Sequence, residues 1–141
     1  MIAVDSSVVV DLLGQDDRAD AAEDALRRAL ALGPVVVCEV VVAEVGAGLG
    51  YGSDLVETLE SAGILYSQTE LRSAIRAGEM QRRYKQRLEG ESRSTSARRS
   101  VPDFLIGAHA LLQCSGLITR DEGFFRDYFK GLRVIVPKPA L

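Results

Sequence analysis

Five short runs of apolar, mostly β-branched residues recur along this chain, and longer stretches with helical character separate them. The runs cover residues 2–4, 35–37, 64–66, 117–119 and 133–136. Strands that alternate with helices in this way are typical of an α/β domain with parallel strands. The sequence therefore predicts a central, mostly parallel sheet of about five strands flanked by helices.

Start and stop signals in the intervening stretches predict helices over residues 6–13, 17–32, 54–61, 69–88 and 103–114. Val, Cys and Ala dominate residues 35–49, where we predict a strand to about Cys38 and then a helix that ends among the glycines at 46–50. At 141 residues the chain has the length of one domain. We expect that domain to occupy residues 1–136, with residues 137–141 as a tail, because prolines cannot continue a central strand.

Four acidic residues lie beside strongly apolar segments. Asp5 and Asp121 each follow a predicted strand, at the end where parallel sheets bind ligands; Asp103 precedes Phe104, and Glu44 lies within the segment 40–45. Carboxylates in such surroundings are costly to bury unless a cation or hydrogen-bond donors compensate them. Oxygen ligands favour Mg²⁺ or Mn²⁺. The pattern indicates a divalent-metal site and metal-assisted phosphoryl hydrolysis.

Each of the three aspartates has a simpler interpretation as the cap of a helix N-terminus. That alternative does not apply to Glu44. On a helix its neighbours three and four positions away form an apolar face, on which we expect an unpaired carboxylate to be costly: Val40, Val41, Ala47 and Gly48.

Charge is distributed unevenly along the chain. Residues 1–70 contain 13 acidic and 3 basic residues, whereas residues 71–141 contain 7 acidic and 14 basic residues. The densest basic stretch runs from Arg82 to Arg99 and suits a phosphate backbone. We predict that Arg93, Arg98 and Arg99 bind such a backbone, which the resemblance given below implies is RNA, and a solvated helix face followed by a loop is the alternative.

The remaining candidate groups favour neither redox nor histidine chemistry. Cys38 and Cys114 are widely separated and apolar in context, so we expect two reduced thiols. His109 is the single histidine; it lies about 240° around a helix from Asp103, which predicts a structural role. The N-terminal residues lack the pattern of a signal peptide, and no run is long enough for a membrane span. We expect a cytoplasmic protein.

Four motifs together make the chain resemble the PIN-domain ribonucleases, and specifically the VapC-type toxins of bacterial toxin–antitoxin pairs. The motifs are Val4-Asp5-Ser6-Ser7, residues 39–45, residues 102–110 and Ile118-Thr119-Arg120-Asp121. The resemblance implies a PIN fold and divalent-metal-dependent cleavage of RNA by an activated water. It further implies inhibition by a small cognate antitoxin, and family members commonly pair, so we expect a homodimer.

Carried over position by position, the resemblance implies that the catalytic, metal-binding set (Mg²⁺ or Mn²⁺) is Asp5, Glu44, Asp103 and Asp121. Ser6 and Thr119 match positions where a hydroxyl supports an aspartate or a metal-bound water. The chain departs from the family pattern at Gly123, where many relatives have an acidic or polar residue, so the number of metal ions stays open. Two alternatives also stay open: an RNA-processing nuclease outside a toxin–antitoxin pair, and a non-catalytic PIN-like binding module.

Overall fold

A computed structural model describes residues 1–90 and 99–139. The five strands are β1 (Ile2–Val4), β2 (Val35–Val37), β3 (Ile64–Tyr66), β4 (Gly116–Ile118) and β5 (Val134–Ile135). The helices in these ranges are α1 (Ser6–Leu13), α2 (Arg18–Leu32), α3 (Glu39–Leu49), α4 (Asp54–Ser61), α5 (Leu71–Glu89), α6 (Val101–Gln113) and α7 (Glu122–Tyr128).

The strands form one sheet in the order β3-β2-β1-β4-β5, and every pair is parallel. The predicted α/β class and the five strands are confirmed. The central strand is β1, where Ala3 pairs with Val36 on one side and Leu117 on the other. The chain moves outward from β1 in one direction and later returns to its other side. The carboxyl ends of β1 and β4 therefore meet where the strand order reverses, the usual ligand position in such sheets.

Most predicted elements lie within two residues of the observed ones, including α1 and α4, whose bounds match. The sequence patterns did not indicate α7, which has seven residues. A helix of about two turns is too short to display a clear hydrophobic period. The division between a domain to residue 136 and a tail stays a prediction.

Aromatic residues concentrate on one side of the fold. All four phenylalanines, together with Tyr84 and Tyr128, form a cluster that joins α5, α6 and α7. The rings of Phe104 and Phe124 meet edge to face at 5.2 Å, a favourable arrangement for aromatic pairs. A Cβ added at Gly107 would come within 2.3 Å of the Phe129 ring. Close packing of this cluster fixes α7 against α6.

The thiols and the apolar character of the helices complete the description of the fold. Cys38 and Cys114 are both free thiols, as predicted. Across residues 1–90 and 99–139, no helix combines the length and apolar character needed to cross a membrane.

Candidate active site

Asp5 directly follows β1 and caps the N-terminus of α1. One carboxylate oxygen accepts the Ser6 backbone N–H at 2.8 Å; the other accepts the hydroxyls of Thr119 at 2.7 Å and Ser7 at 3.3 Å. The residue is only 7% exposed. Burial raises the pKa of Asp5 and the charge of Asp103 adds to the rise, although the hydrogen bonds oppose it. Asp5 is a cap, as the simpler interpretation held, but its charge has no cationic partner among these contacts.

Glu44 lies on α3 and accepts the Ser6 hydroxyl at 3.0 Å. The expectation that it lies on a buried apolar face is wrong, because Glu44 is exposed, as are Ala47 and Gly48. Ala47 and Gly48 count as apolar in sequence, yet they line open surface, and only Val41 and Val45, which flank Glu44 around α3, are buried. Partial burial still raises the pKa of Glu44, and the charges of Asp5 and Asp103 raise it further.

Asp103 lies in the first turn of α6. Its carboxylate accepts the Ser100 backbone N–H at 3.1 Å, which forms one half of a capping box. The aspartate thus stands three positions into the helix and is not the N-cap residue itself. Its charge raises the pKa of both Asp5 and Glu44. The fold therefore brings three of the four predicted acids within electrostatic range of one another.

Asp121 stands at the N-cap position of α7, but its side chain makes no capping hydrogen bond. The carboxylate instead pairs with the guanidinium of Arg99. That guanidinium stacks on Phe124, 4.5 Å from the ring centroid, and the Arg99 backbone N–H donates to the Tyr84 hydroxyl at 2.9 Å. The fourth acid already has a cation, supplied by the chain.

Two hydroxyls connect the acids. Thr119, fully buried, donates to Asp5 and accepts the Asp121 backbone N–H at 3.0 Å. Ser6 donates to Glu44, and its backbone N–H bonds Asp5. These are the two residues for which the resemblance implied supporting hydroxyls, and each contacts two members of the acidic set.

Sequence reasoning missed an ion pair between the buried Asp11 and the partly exposed Arg120. Asp11 on α1 is 6% exposed and lies 2.7 Å from the Nε atom of Arg120. Because Arg120 stands between Thr119 and Asp121, the pair ties the segment after β4 to α1. An acid within the apolar run of α1 was the available signal.

A model of the PIN domain matches residues 2–130. This chain belongs to the PIN-domain family.

Solved structures with the same fold include several toxin–antitoxin proteins. VapBC2 from Rickettsia felis, bound to a promoter DNA fragment, has a TM-score of 0.70 at 16% identity, over 98% of this chain and 100% of that one. A toxin–antitoxin complex from Klebsiella pneumoniae gives 0.60 at 20% identity, over 99% and 100%. VapC20 from Mycobacterium tuberculosis, described as a toxin that cleaves the sarcin–ricin loop, gives 0.61 at 18% identity, over 94% and 99%. No curated protein sequence matches this chain significantly.

The chemistry of the donor set in this PIN domain fits a hard divalent ion, because it consists of carboxylates and hydroxyls at one sheet edge. Mutual repulsion among the three coupled acids is the kind of strain that a cation offsets. As the side chains stand, however, no three Asp, Glu, His or Cys groups within the described ranges are close enough to hold an ion together. Binding of an ion therefore requires the carboxylate groups to move closer together.

The predicted RNA-binding residues are only partly visible. Arg99 lies beside Asp121, whereas Arg93 and Arg98 fall outside the described residues. Arg82, Arg83 and Lys85 are exposed on α5. His109 is buried, bonds Ser67 at 3.1 Å and has a pKa lowered by burial, in agreement with a structural role.

Proposed function

We propose that this PIN domain is a divalent-metal-dependent endoribonuclease and the toxin of a toxin–antitoxin pair. The observation that carries the proposal is the group of three carboxylates, Asp5, Glu44 and Asp103, whose charges raise the pKa of two of them. The hydrogen-bond donors that the described part of the chain gives to Asp5 are neutral. A site that concentrates negative charge favours a cation, and exposed basic residues elsewhere on the same domain favour a polyanionic substrate.

In this proposal Asp5, Glu44 and Asp103 hold Mg²⁺ or Mn²⁺. The ion supplies Lewis acidity, which lowers the pKa of water and polarises a phosphate ester. Thr119 and Ser6 orient the carboxylates through their hydroxyls. The exposed basic residues of α5 attract the RNA backbone in a salt-dependent manner.

Support for RNA and for a toxin role comes from the similar structures. One is described as cleaving the sarcin–ricin loop, an RNA element, and others are toxin–antitoxin assemblies. We accordingly propose a small cognate antitoxin and a second copy of this chain as partners. The binding-module alternative has one observation in its favour, since Asp5 is the N-cap of α1 and Asp103 completes the capping box of α6.

The direct test is cleavage of labelled single-stranded RNA by the purified protein with Mg²⁺, Mn²⁺ or excess EDTA. We expect cleavage with either ion and none in EDTA. Asp5→Asn keeps the shape of the side chain but removes its charge, so activity should fall at least about 100-fold. Asp127→Asn is a matched control, because Asp127 is exposed on α7, and it should retain activity.

Undiminished cleavage in EDTA would contradict the metal mechanism, and loss of activity in both aspartate variants would contradict the assigned site. The toxin role has its own test in cells. Expression should stop growth, and a small neighbouring gene should restore it through a protein complex. Cleavage without any effect on growth would instead favour an RNA-processing nuclease.

A further inference from the structure

The ion pair between Arg99 and Asp121 differs from the surface pairs of this chain. The two side chains are 28% and 36% exposed, whereas those of Arg126 and Glu122, one turn apart on α7, are 66% and 43% exposed. Exposed pairs of the second kind contribute little and form easily. Arg99 is held from three directions, by a carboxylate, an aromatic face and a backbone hydrogen bond to Tyr84.

Arg99 reaches Asp121 from a different element, since it precedes α6 while Asp121 precedes α7. Its planar cation suits both partners, because a guanidinium stacks on aromatic rings and matches a carboxylate. Phe124 belongs to the tightly packed aromatic cluster and is itself buried. The cation is thus positioned by the folded core and does not depend on a mobile surface side chain.

Within residues 1–90 and 99–139, no guanidinium or ammonium group pairs with Asp5, Glu44 or Asp103. The groups that stabilise the charge of Asp5 are hydroxyls and a backbone N–H, and Glu44 has the Ser6 hydroxyl. The carboxylates around Asp5 therefore favour an added cation, whereas Asp121 is already neutralised by Arg99.

We propose that Arg99 takes the place of a second cation at Asp121, so that the site binds one divalent ion, through Asp5, Glu44 and Asp103. A second ion at Asp121 would have to approach a fixed guanidinium, and two cations at a few ångströms repel strongly. This inference rests on the proposed function, because the ion concerned is its cofactor. It narrows the four-acid set implied by the family resemblance to three ligands and one internally neutralised acid.

The test is titration of the purified full chain with Mn²⁺ by isothermal calorimetry, checked by the paramagnetic resonance signal of free Mn²⁺. We expect one ion per chain for the wild type, none at this affinity for Asp5→Asn, and one for Asp121→Asn. Arg99→Gln should expose the Asp121 carboxylate and raise the stoichiometry from about one to about two.

Three further variants sharpen the result. Arg99→Lys keeps the positive charge and should remain at one ion. Arg99→Gln/Asp121→Asn should return to one, because the freed carboxylate is gone. Arg126→Gln, which breaks the exposed pair with Glu122, should leave the stoichiometry unchanged.

Two outcomes overturn the inference in distinguishable ways. If the wild type binds one ion that Asp5→Asn abolishes, while Arg99→Gln still binds one, then Arg99 does not exclude a second ion and the proposed function stands. Binding of two ions by the wild type would likewise show that Arg99 does not exclude a second ion. If no variant and no wild-type protein binds Mn²⁺, the metal-dependent function fails, and this inference fails with it.

Discussion

Asp5 and Asp121 follow neighbouring strands, β1 and β4, yet the fold compensates their charges in opposite ways. Asp5 is buried and its donors among the described residues are neutral, whereas Asp121 is more open and pairs with a guanidinium. Neutral hydrogen bonds satisfy the oxygen atoms of a carboxylate but leave its net charge. The same local motif, an aspartate after an apolar strand, therefore produces one acid that requires a cation and one that already has it.

The packing behind the two acids also differs. Asp5 follows the buried aliphatic strand β1 and its backbone N–H donates to the Ile118 carbonyl of β4, while aromatic rings support the segment around Asp121 through Phe124 and its neighbours. Thr119 joins the two sides, since it bonds both residues. Separate substitutions in the aromatic cluster, at Thr119 and at the acids therefore show how much each contributes to stability and activity.

The largest effect is expected from Gly107→Ala, which disturbs the packing of the aromatic cluster next to Asp121. The added methyl group would lie 2.3 Å from a carbon of the Phe129 ring, and overpacking of a tight core costs about 1–3 kcal/mol. We expect the free energy of unfolding to fall by that amount, measured by urea denaturation.

Gly78→Ala is the matched control, because it lies within α5 with nothing within 4 Å of the added Cβ. Alanine is a better helix former than glycine, so this variant should gain about 0.5–1 kcal/mol. Equal changes in the free energy of unfolding of the two variants would show that contact with the Phe129 ring does not destabilise the Gly107→Ala variant.

A smaller effect is expected from Thr119→Val, which removes the hydroxyl that links Asp5 and Asp121 but keeps the shape of the side chain. Asp5 would lose its shortest hydroxyl donor, at 2.7 Å, and the Asp121 backbone N–H would lose its acceptor. Removal of a group that orients a metal ligand typically costs 10–100-fold, so RNA cleavage and Mn²⁺ affinity should each fall by about that factor.

Thr119→Ser restores the hydroxyl and should recover most of this loss. Thr58→Val, which removes a hydroxyl bonded to the Asp54 carbonyl within α4, should leave cleavage unaffected. A Ser variant as impaired as the Val variant would point to methyl packing and not to the hydrogen bonds.

The smallest effect concerns Glu44, whose pKa in the folded protein lies above its ordinary value of 4.5. Between the two pKa values the folded state holds more protons than the unfolded state, so stability falls as pH rises through that window. Glu44→Gln removes this loss. Without metal, its melting temperature should match the wild type below pH 4.5 and exceed it by about 1–3 °C at pH 7.

Added Mn²⁺ should reverse the order, because only the wild type retains the full ligand set and gains stability from binding. The measurement is a thermal melt across pH, with EDTA or with Mn²⁺. A variant that is less stable than the wild type at pH 7 in EDTA would show that Glu44 stabilises the fold through its charge.

The sequence by itself determined the α/β class, the five strands and most helix bounds, because hydrophobic period and turn residues act locally. It also placed Asp5 and Asp121 at strand ends, and the order of the motifs indicated the PIN family. Glu44 was misjudged as buried, since the local pattern does not show which side of a helix faces open space.

Only the tertiary structure decided how the acids are compensated. Arg99 and Asp121 are 22 positions apart, as the numbering shows, and they meet because Tyr84, Phe104 and Phe124 pack α5, α6 and α7 together. Thr119 reaches Asp5 because β4 pairs with β1. Charge acts through space and not along the chain, so the difference between an acid that needs a metal and one that holds an arginine arises only when the fold is complete.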